Sequence, residues 1–156
     1  MKMKSLGEVI TFNNANAASA MPYFQQETLQ ASNQKGDLNS PEYKAALQKT
    51  LGSRKIIDDL MAAHQLDALS GITTGPAIPI DLINGDCDNG PSMSTPAAIS
   101  GFPHITVPMG LAHGLPVGLS FFSTAYHEGE IIKLGYAYEQ ASKKRVAPLY
   151  KPDLFS

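Results

Sequence analysis

The sequence predicts an α/β fold with a small sheet covered by helices. Three observations carry this reading. From Ser40 to Gln65 apolar residues recur at helical spacing. Two short apolar runs, HITVPMG and PVGLSFF, follow later, separated only by LAHGL. A second amphipathic run, HEGEIIKLGYAYEQASKKR, comes directly after them. Helical and strand signals that alternate in this way place helices against a sheet.

Taken in order, Ser5 caps a first helix with Leu6, Val9, Ile10 and Ala17 on one face. The Asn- and Ala-rich FNNANAASAM weakens that helix over its second half. Pro22 separates it from a second helix, YFQQETLQASNQ, which Gly36 stops before the loop KGDLNS. Ser40 is then an N-cap, Pro41 fits the first helical position, and Glu42 lies where the helix dipole favours an anion. Tyr43, Leu47, Leu51, Ile57, Leu60 and Met61 form the apolar stripe. Gly52 interrupts it, costs roughly 1 kcal/mol against Ala, and permits a bend.

LDALSGIT, residues 66–73, reads as a strand feeding a long loop from Thr74 to Ser94 that contains Pro76, Pro79 and Pro91. Long loops without regular structure are commonly functional. STPAAIS, residues 94–100, is a short helix capped by Ser94 or Thr95, with Pro96 just inside. The two apolar runs are strands, and their short LAHGL connection favours antiparallel pairing. Their prolines belong at strand ends, edges or bulges, because proline cannot donate to a ladder. Ile131, Leu134, Ala137 or Tyr138, and Ala141 mark one face of the closing helix, and VAPLYKPDLFS is an irregular tail. Residues 1–65 are therefore mainly helical, and 66–148 run strand, loop, helix, strand, strand, helix. The whole of 1–156 is read as one domain.

Composition narrows the function classes. With 156 residues and 43% hydrophobic content, the chain is long and apolar enough for a packed core. Lys plus Arg is 12 and Asp plus Glu is 14, so the net charge is −2. That balance carries no basic footprint for nucleic acid. Lys143, Lys144 and Arg145 stand near a helix end, where cations complement the dipole, which is plainer than a binding patch. The single cysteine, Cys87, permits no internal disulfide and suits a reducing, cytoplasmic setting. No run approaches the roughly 18 apolar residues of a membrane span, and MKMKSLGEVITFNN does not read as a secretory leader.

The residues alone do not assemble an active site. A Ser–His–Asp triad meets only in space, so His64, His104, His113 and His127 each admit a catalytic reading; structural or surface roles are plainer. No serine sits in a G-x-S-x-G elbow. NGDCDNG, residues 84–90, gathers Asp86, Cys87 and Asp88, but no glutamate closes a calcium loop, so a turn is expected and no metal. A nucleophilic Cys87 would need a His or Lys beside it and has Asp86 and Asp88 instead, which suits a bystander thiol. Neither glycine-rich phosphate motif is present, and no cofactor is expected.

Several motifs in a fixed order nevertheless carry a resemblance. LDALSGITTGPAIPIDLING, STPAAISGFPHITVPMG, GLPVGLSFFS and YAYEQA resemble the C-terminal part of amidase signature family enzymes. ITFNNANAASAMPYFQQETLQ resembles the helical stretch preceding it, so the likeness covers about residues 6 to 148. It implies a fragment of the amidase signature fold, a partial domain with a small mixed sheet taken from a larger one. It further implies an amidohydrolase acting on carbon–nitrogen amide bonds. In that family a Lys, a Ser in a cis peptide and a nucleophilic Ser carry acyl transfer, with backbone amides holding the oxyanion. Those residues lie upstream of the matching region. The only Gly-Ser pair here is Gly52-Ser53, inside a predicted helix, so no catalytic residue is assigned and the chain alone is expected to be inactive.

The resemblance also places TTGPAIPID near the acyl-binding side of the pocket. Thr74, Pro76, Ile78 and Asp81 are the candidate substrate-binding residues; the plainer alternative is that they only shape a turn. Pro91 stands where the branch that amidates glutamyl-tRNA carries an Asp, which points to stand-alone amidases. A missing N-terminal half would leave apolar faces and strand edges open, so either that half or a second copy, giving a dimer, is the expected partner. Other readings are one half of a split amidase, a non-catalytic small-ligand binding module, and a hydrolase complete in its own Ser, His and Asp.

Overall fold

The computed structural model describes residues 3–87 and 90–148. The end of the irregular tail, from Leu149 to Ser156, and Asp88 of the acidic turn therefore lie outside the described residues. The chain divides into two compact units, one from Met1–Gln48 with Pro79–Asp86, the other from Lys49–Ile78 with Cys87–Ser156.

The first unit is helical. Helix α1, Leu6–Ala15, starts as expected: the Ser5 side chain accepts from the Glu8 backbone N–H at 3.2 Å. A four-residue helix α2, Ala17–Ala20, follows the break at Asn16. Helix α3 is Glu27–Asn33, shorter at its start than the predicted YFQQETLQASNQ. The physical reason is Gln26, which is only 6% exposed and serves as a polar clasp instead of a helical residue. Its Oε1 accepts from Asn13 Nδ2 at 3.0 Å, and its Nε2 donates to Asn14 Oδ1 at 2.8 Å and to the Ile10 carbonyl at 3.2 Å. A buried amide is tolerable because its polar atoms are paired.

Helix α4, Pro41–His64, begins where Ser40 accepts from the Tyr43 N–H at 3.2 Å. It runs without a break through Gly52, where a bend was expected to be possible. It closes on Gln65 at φ 50, with Leu66 N–H bonded to the Met61 carbonyl at 2.9 Å. This is the left-handed cap that more often uses glycine.

The second unit holds the sheet. Strand β1 is Leu69–Ile72, β2 is His104–Ala112 and β3 is Leu115–Phe122, in the order β1-β3-β2. Both pairings are antiparallel, so among the described residues the sheet is not mixed in direction. The hairpin between β2 and β3 is tighter than LAHGL suggested. His113 at φ 51 and Gly114 at φ 81 form a two-residue turn whose twist matches the strands. Pro108 sits at a register shift between Pro108 and Gly110, on an edge strand, which is where proline is tolerated. Pro116 pairs with Leu111, beyond Leu119 where β1 stops pairing.

Alternation along β3 puts Gly118, Ser120 and Phe122 on one face and Val117, Leu119 and Phe121 on the other. On the first face, Phe122 joins Ile57 and Met61 of α4, Phe102, and Ala97 of helix α5 (Ser94–Ser100), with Leu69 and Met93 packed alongside. Helix α6, Glu128–Ser142, covers the other face. It approaches through Gly135, where an added Cβ would lie 3.3 Å from Ile105 Cδ1, and through an edge-on contact of Tyr138 with Phe121.

One of two end signals differs from expectation. Met93, not Ser94 or Thr95, is the N-cap of α5, because the Ser94 hydroxyl is paired with Ser92 at 2.7 Å. Lys143 is the left-handed C-cap of α6 at φ 52, so Lys143, Lys144 and Arg145 stand at the helix end, where they were expected.

Candidate functional site

The long loop leaves β1 at Thr73 and returns at Ser92, and its two ends are tied together. The Ser92 hydroxyl donates to the Thr73 carbonyl at 2.9 Å, and the Met93 N–H donates to the Ile72 carbonyl at 3.1 Å. The Thr73 N–H in turn donates to the Gly118 carbonyl at 2.8 Å. The loop thus has a fixed root on the sheet.

Beside that root lies a group of hydroxyls. Ser120, fully buried at the centre of β3, donates to Thr73 Oγ1 at 2.9 Å and sits 2.7 Å from His104 Nε2. Thr73 Oγ1 donates to Thr106 Oγ1 at 3.4 Å. Gly118 makes room for them: a Cβ there would fall 2.6 Å from both Thr73 Oγ1 and Thr106 Cγ2. Burial disfavours the imidazolium and holds the His104 pKa below its ordinary value. A Ser–His pair at hydrogen-bond distance invites a nucleophile reading. Ser120 has no exposed surface, however, and its proton goes to Thr73, so this pair is structural as it stands.

The predicted substrate residues divide between the units. Thr74, Pro76 and Ile78 belong to the sheet unit; Thr74 is exposed and the other two are half-buried. Asp81 belongs to the helical unit and uses its carboxylate within its own turn. Its Oδ1 accepts from the N–H groups of Ile83 at 2.8 Å and Asn84 at 2.9 Å, and Oδ2 accepts from Asn84 Nδ2 at 2.9 Å. The bonds from Asn84 and then Ile83 lower its pKa. Asp81 therefore holds its own turn with both carboxylate oxygens. Cys87 is exposed.

Two open clefts lie among the described residues of the sheet unit. One, of about 370 Å³, is lined by residues including Asp58, Gln65, Asp67, His127 and Glu130. The other, of about 380 Å³, includes Thr106, Leu111, Lys144 and Arg145. Neither is lined by Thr74, Pro76 or Ile78. Among the described residues no group of three His, Cys, Asp or Glu is placed to hold a metal, and no helix is long and apolar enough to cross a membrane.

Sequence reasoning missed the Thr73, Ser92 and Ser120 group, and it named His104 among four histidines open to a catalytic reading without a partner for it. The signal was there in the alternation: H-I-T in β2 and G-L-S in β3 put polar or small residues on a single sheet face.

An α/β sheet with helices on both faces, rooting a long Pro-rich loop, defines the class, and known proteins with this arrangement place the chain in it. No family model matches the sequence. Solved structures do. The chain superposes on the crystal structure of native peptide amidase from Stenotrophomonas maltophilia with a TM-score of 0.80 at 36% identity, over 96% of this chain and 30% of that one. A peptide amidase in complex with the competitive inhibitor chymostatin gives 0.84 at 40% identity, over 95% and 30%. Among curated relatives, a probable amidase of Arabidopsis thaliana is 30% identical over 151 residues, 95% of this chain and 26% of its own length. A glutamyl-tRNA(Gln) amidotransferase subunit of Synechococcus sp. (strain JA-3-3Ab) is 38% identical over 129 residues, 75% and 24%. The chain belongs to the amidase signature family and spans roughly a quarter of the length of the curated relatives it matches.

Proposed function

We propose that this chain is the C-terminal portion of an amidase that hydrolyses carbon–nitrogen amide bonds by serine acyl transfer. The observation that carries this reading is the 40% identity with a peptide amidase over 95% of this chain but only 30% of that enzyme. In this reading the Lys, the cis-peptide Ser and the nucleophilic Ser come from a portion outside this sequence. The chain contributes a sheet core, and Thr74, Pro76, Ile78 and Asp81 contribute to the acyl side of the pocket. The likeness to peptide amidases and Pro91 together favour a stand-alone amidase over the tRNA-amidating branch. The lone cysteine suits a cytoplasmic setting.

The test is amide hydrolysis. The 156-residue chain alone is expected to release no ammonia from a peptide amide, and the chain together with its catalytic portion to do so. Turnover by the pure chain would instead support a hydrolase built from its own Ser, His and Asp.

Apolar exposure supports a covering partner. Within the sheet unit Ile56 is 70% exposed and Leu60 42% on α4, while Ile132 is 57% and Tyr136 65% exposed on the outer side of α6. Surfaces of this kind are usually interfaces. The missing portion, or in its absence a second copy forming a dimer, would cover them. Sedimentation of the pure chain checks this, with a dimer expected and a monomer at high concentration counting against it.

A further inference from the structure

The buried hydroxyl group at the loop root gives His104 a role that its strand position alone does not. The argument is one of proton count. A serine hydroxyl has one proton and two acceptor sites. Ser120 places that proton on Thr73 Oγ1 at 2.9 Å, so toward His104 it can only accept. The 2.7 Å contact then requires that His104 Nε2 carry hydrogen. Thr73 passes the direction on to Thr106 at 3.4 Å. The same Thr73 is the first residue after β1, and its backbone holds both the Ser92 hydroxyl and the Gly118 carbonyl. Its side chain and its main chain are therefore both held.

We infer that His104 is a positioning residue, held as the Nε2–H tautomer, which acts through Ser120 and Thr73 to fix the root of the 74–91 loop. The imidazole donates, Ser120 relays, and Thr73 is the point where the relay meets the clasp that closes the loop. Thr74, Pro76 and Ile78 follow directly from that point, so their placement depends on a residue 26 or more positions away in the chain. Only the further step, that these three residues face the acyl group of an amide, rests on the proposed amidase function. Gly118 is part of the same device, since no larger residue leaves room for Thr73 Oγ1 in this position.

The decisive measurement is long-range proton–nitrogen correlation of the His104 ring in the full chain, at a pH about two units above the ordinary imidazole value. The Nε2–H tautomer is expected; an Nδ1–H tautomer would overturn the assignment, because Ser120 would then have to donate to His104. Amide exchange provides the second readout. In His104→Phe, which keeps a ring and loses the donor, exchange at the Thr73 and Met93 amides is expected to rise roughly five- to tenfold. In His104→Gln, whose side-chain amide restores a donor near the Nε2 position, it is expected to return close to the original rate. Equal exchange in all three proteins would refute the positioning role. The amidase reading fails separately: if exchange responds as stated while the chain with its catalytic portion hydrolyses no amide, the positioning role stands and the acyl-side assignment falls.

Discussion

Gly118→Ala tests the packing at the loop root with a single methyl group. Gly118 does not occupy a left-handed conformation, so the effect is steric and not a backbone penalty. The new Cβ would stand 2.6 Å from Thr73 Oγ1 and 2.6 Å from Thr106 Cγ2, against 3.4 Å for ordinary contact, so each neighbour must give about 3.4 − 2.6 = 0.8 Å. Neither gives easily. Both are β-branched and stiff at χ1, and the Thr73 N–H is bonded to the Gly118 carbonyl itself. Overpacking of this kind costs about 1–3 kcal/mol, and displacing Thr73 Oγ1 forfeits a hydrogen bond of about 1 kcal/mol. The expected loss is therefore roughly 2–4 kcal/mol. With a urea slope of about 2 kcal/mol/M, a loss of about 3 kcal/mol lowers the unfolding midpoint by about 1.5 M. Equilibrium urea unfolding followed by circular dichroism reads this directly. A variant within about 0.5 kcal/mol of the parent would refute the reasoning, since that is the range of ordinary surface substitutions.

Other expectations follow from the same structure. Gly52→Ala, where a Cβ meets nothing within 4 Å in the middle of α4, should stabilise the chain by about 0.5–1 kcal/mol in the same urea assay. Phe122→Ala, at a residue only 1% exposed in the core, should cost about 3–5 kcal/mol and broaden or abolish the cooperative transition. His104 is neutral-favouring in the folded state and ordinary in the unfolded state, so the unfolded chain binds more protons as pH falls below 6.5. Stability contributed by His104 should thus be complete above 6.5 and decline as pH falls toward its lowered folded value, and His104→Gln should remove that part of the pH profile. Asp81, whose carboxyl is lowered by its turn, adds stability that is lost only as pH falls below 3.8, and Asp81→Asn should flatten that acid limb.

What was legible in the sequence was mostly local punctuation. Ser5, Ser40 and Pro41 mark helix starts because a cap needs only a hydroxyl and a few neighbouring N–H groups. The two apolar runs gave both long strands and their antiparallel pairing. The α/β class and the family likeness followed from those elements in their order. Features set by distant partners were not legible. Helix α3 starts late because Gln26 is claimed by α1, thirteen residues upstream at Asn13. Gly135 carries no side chain to announce it, yet an added Cβ there would lie 3.3 Å from Ile105 Cδ1 of β2. Lys143 and Gln65 adopt left-handed caps without glycine or asparagine to announce them. The hydroxyl group at the loop root joins residues from three strands or their flanks, so no local window contains it. The bonds of Asp81 to Ile83 and Asn84 are local, within two or three residues, and an Asp-x-x-Asn turn of this kind is legible in sequence.

In the proposed function this chain is the scaffold and acyl-side portion of an amidase whose chemistry lies in a preceding portion. The most direct measurement is the DNA sequence immediately upstream of the Met1 codon in the source genome. It is expected to encode a lysine and a glycine- and serine-rich segment, in the same frame or displaced by one frameshift. Unrelated sequence at that position would contradict it.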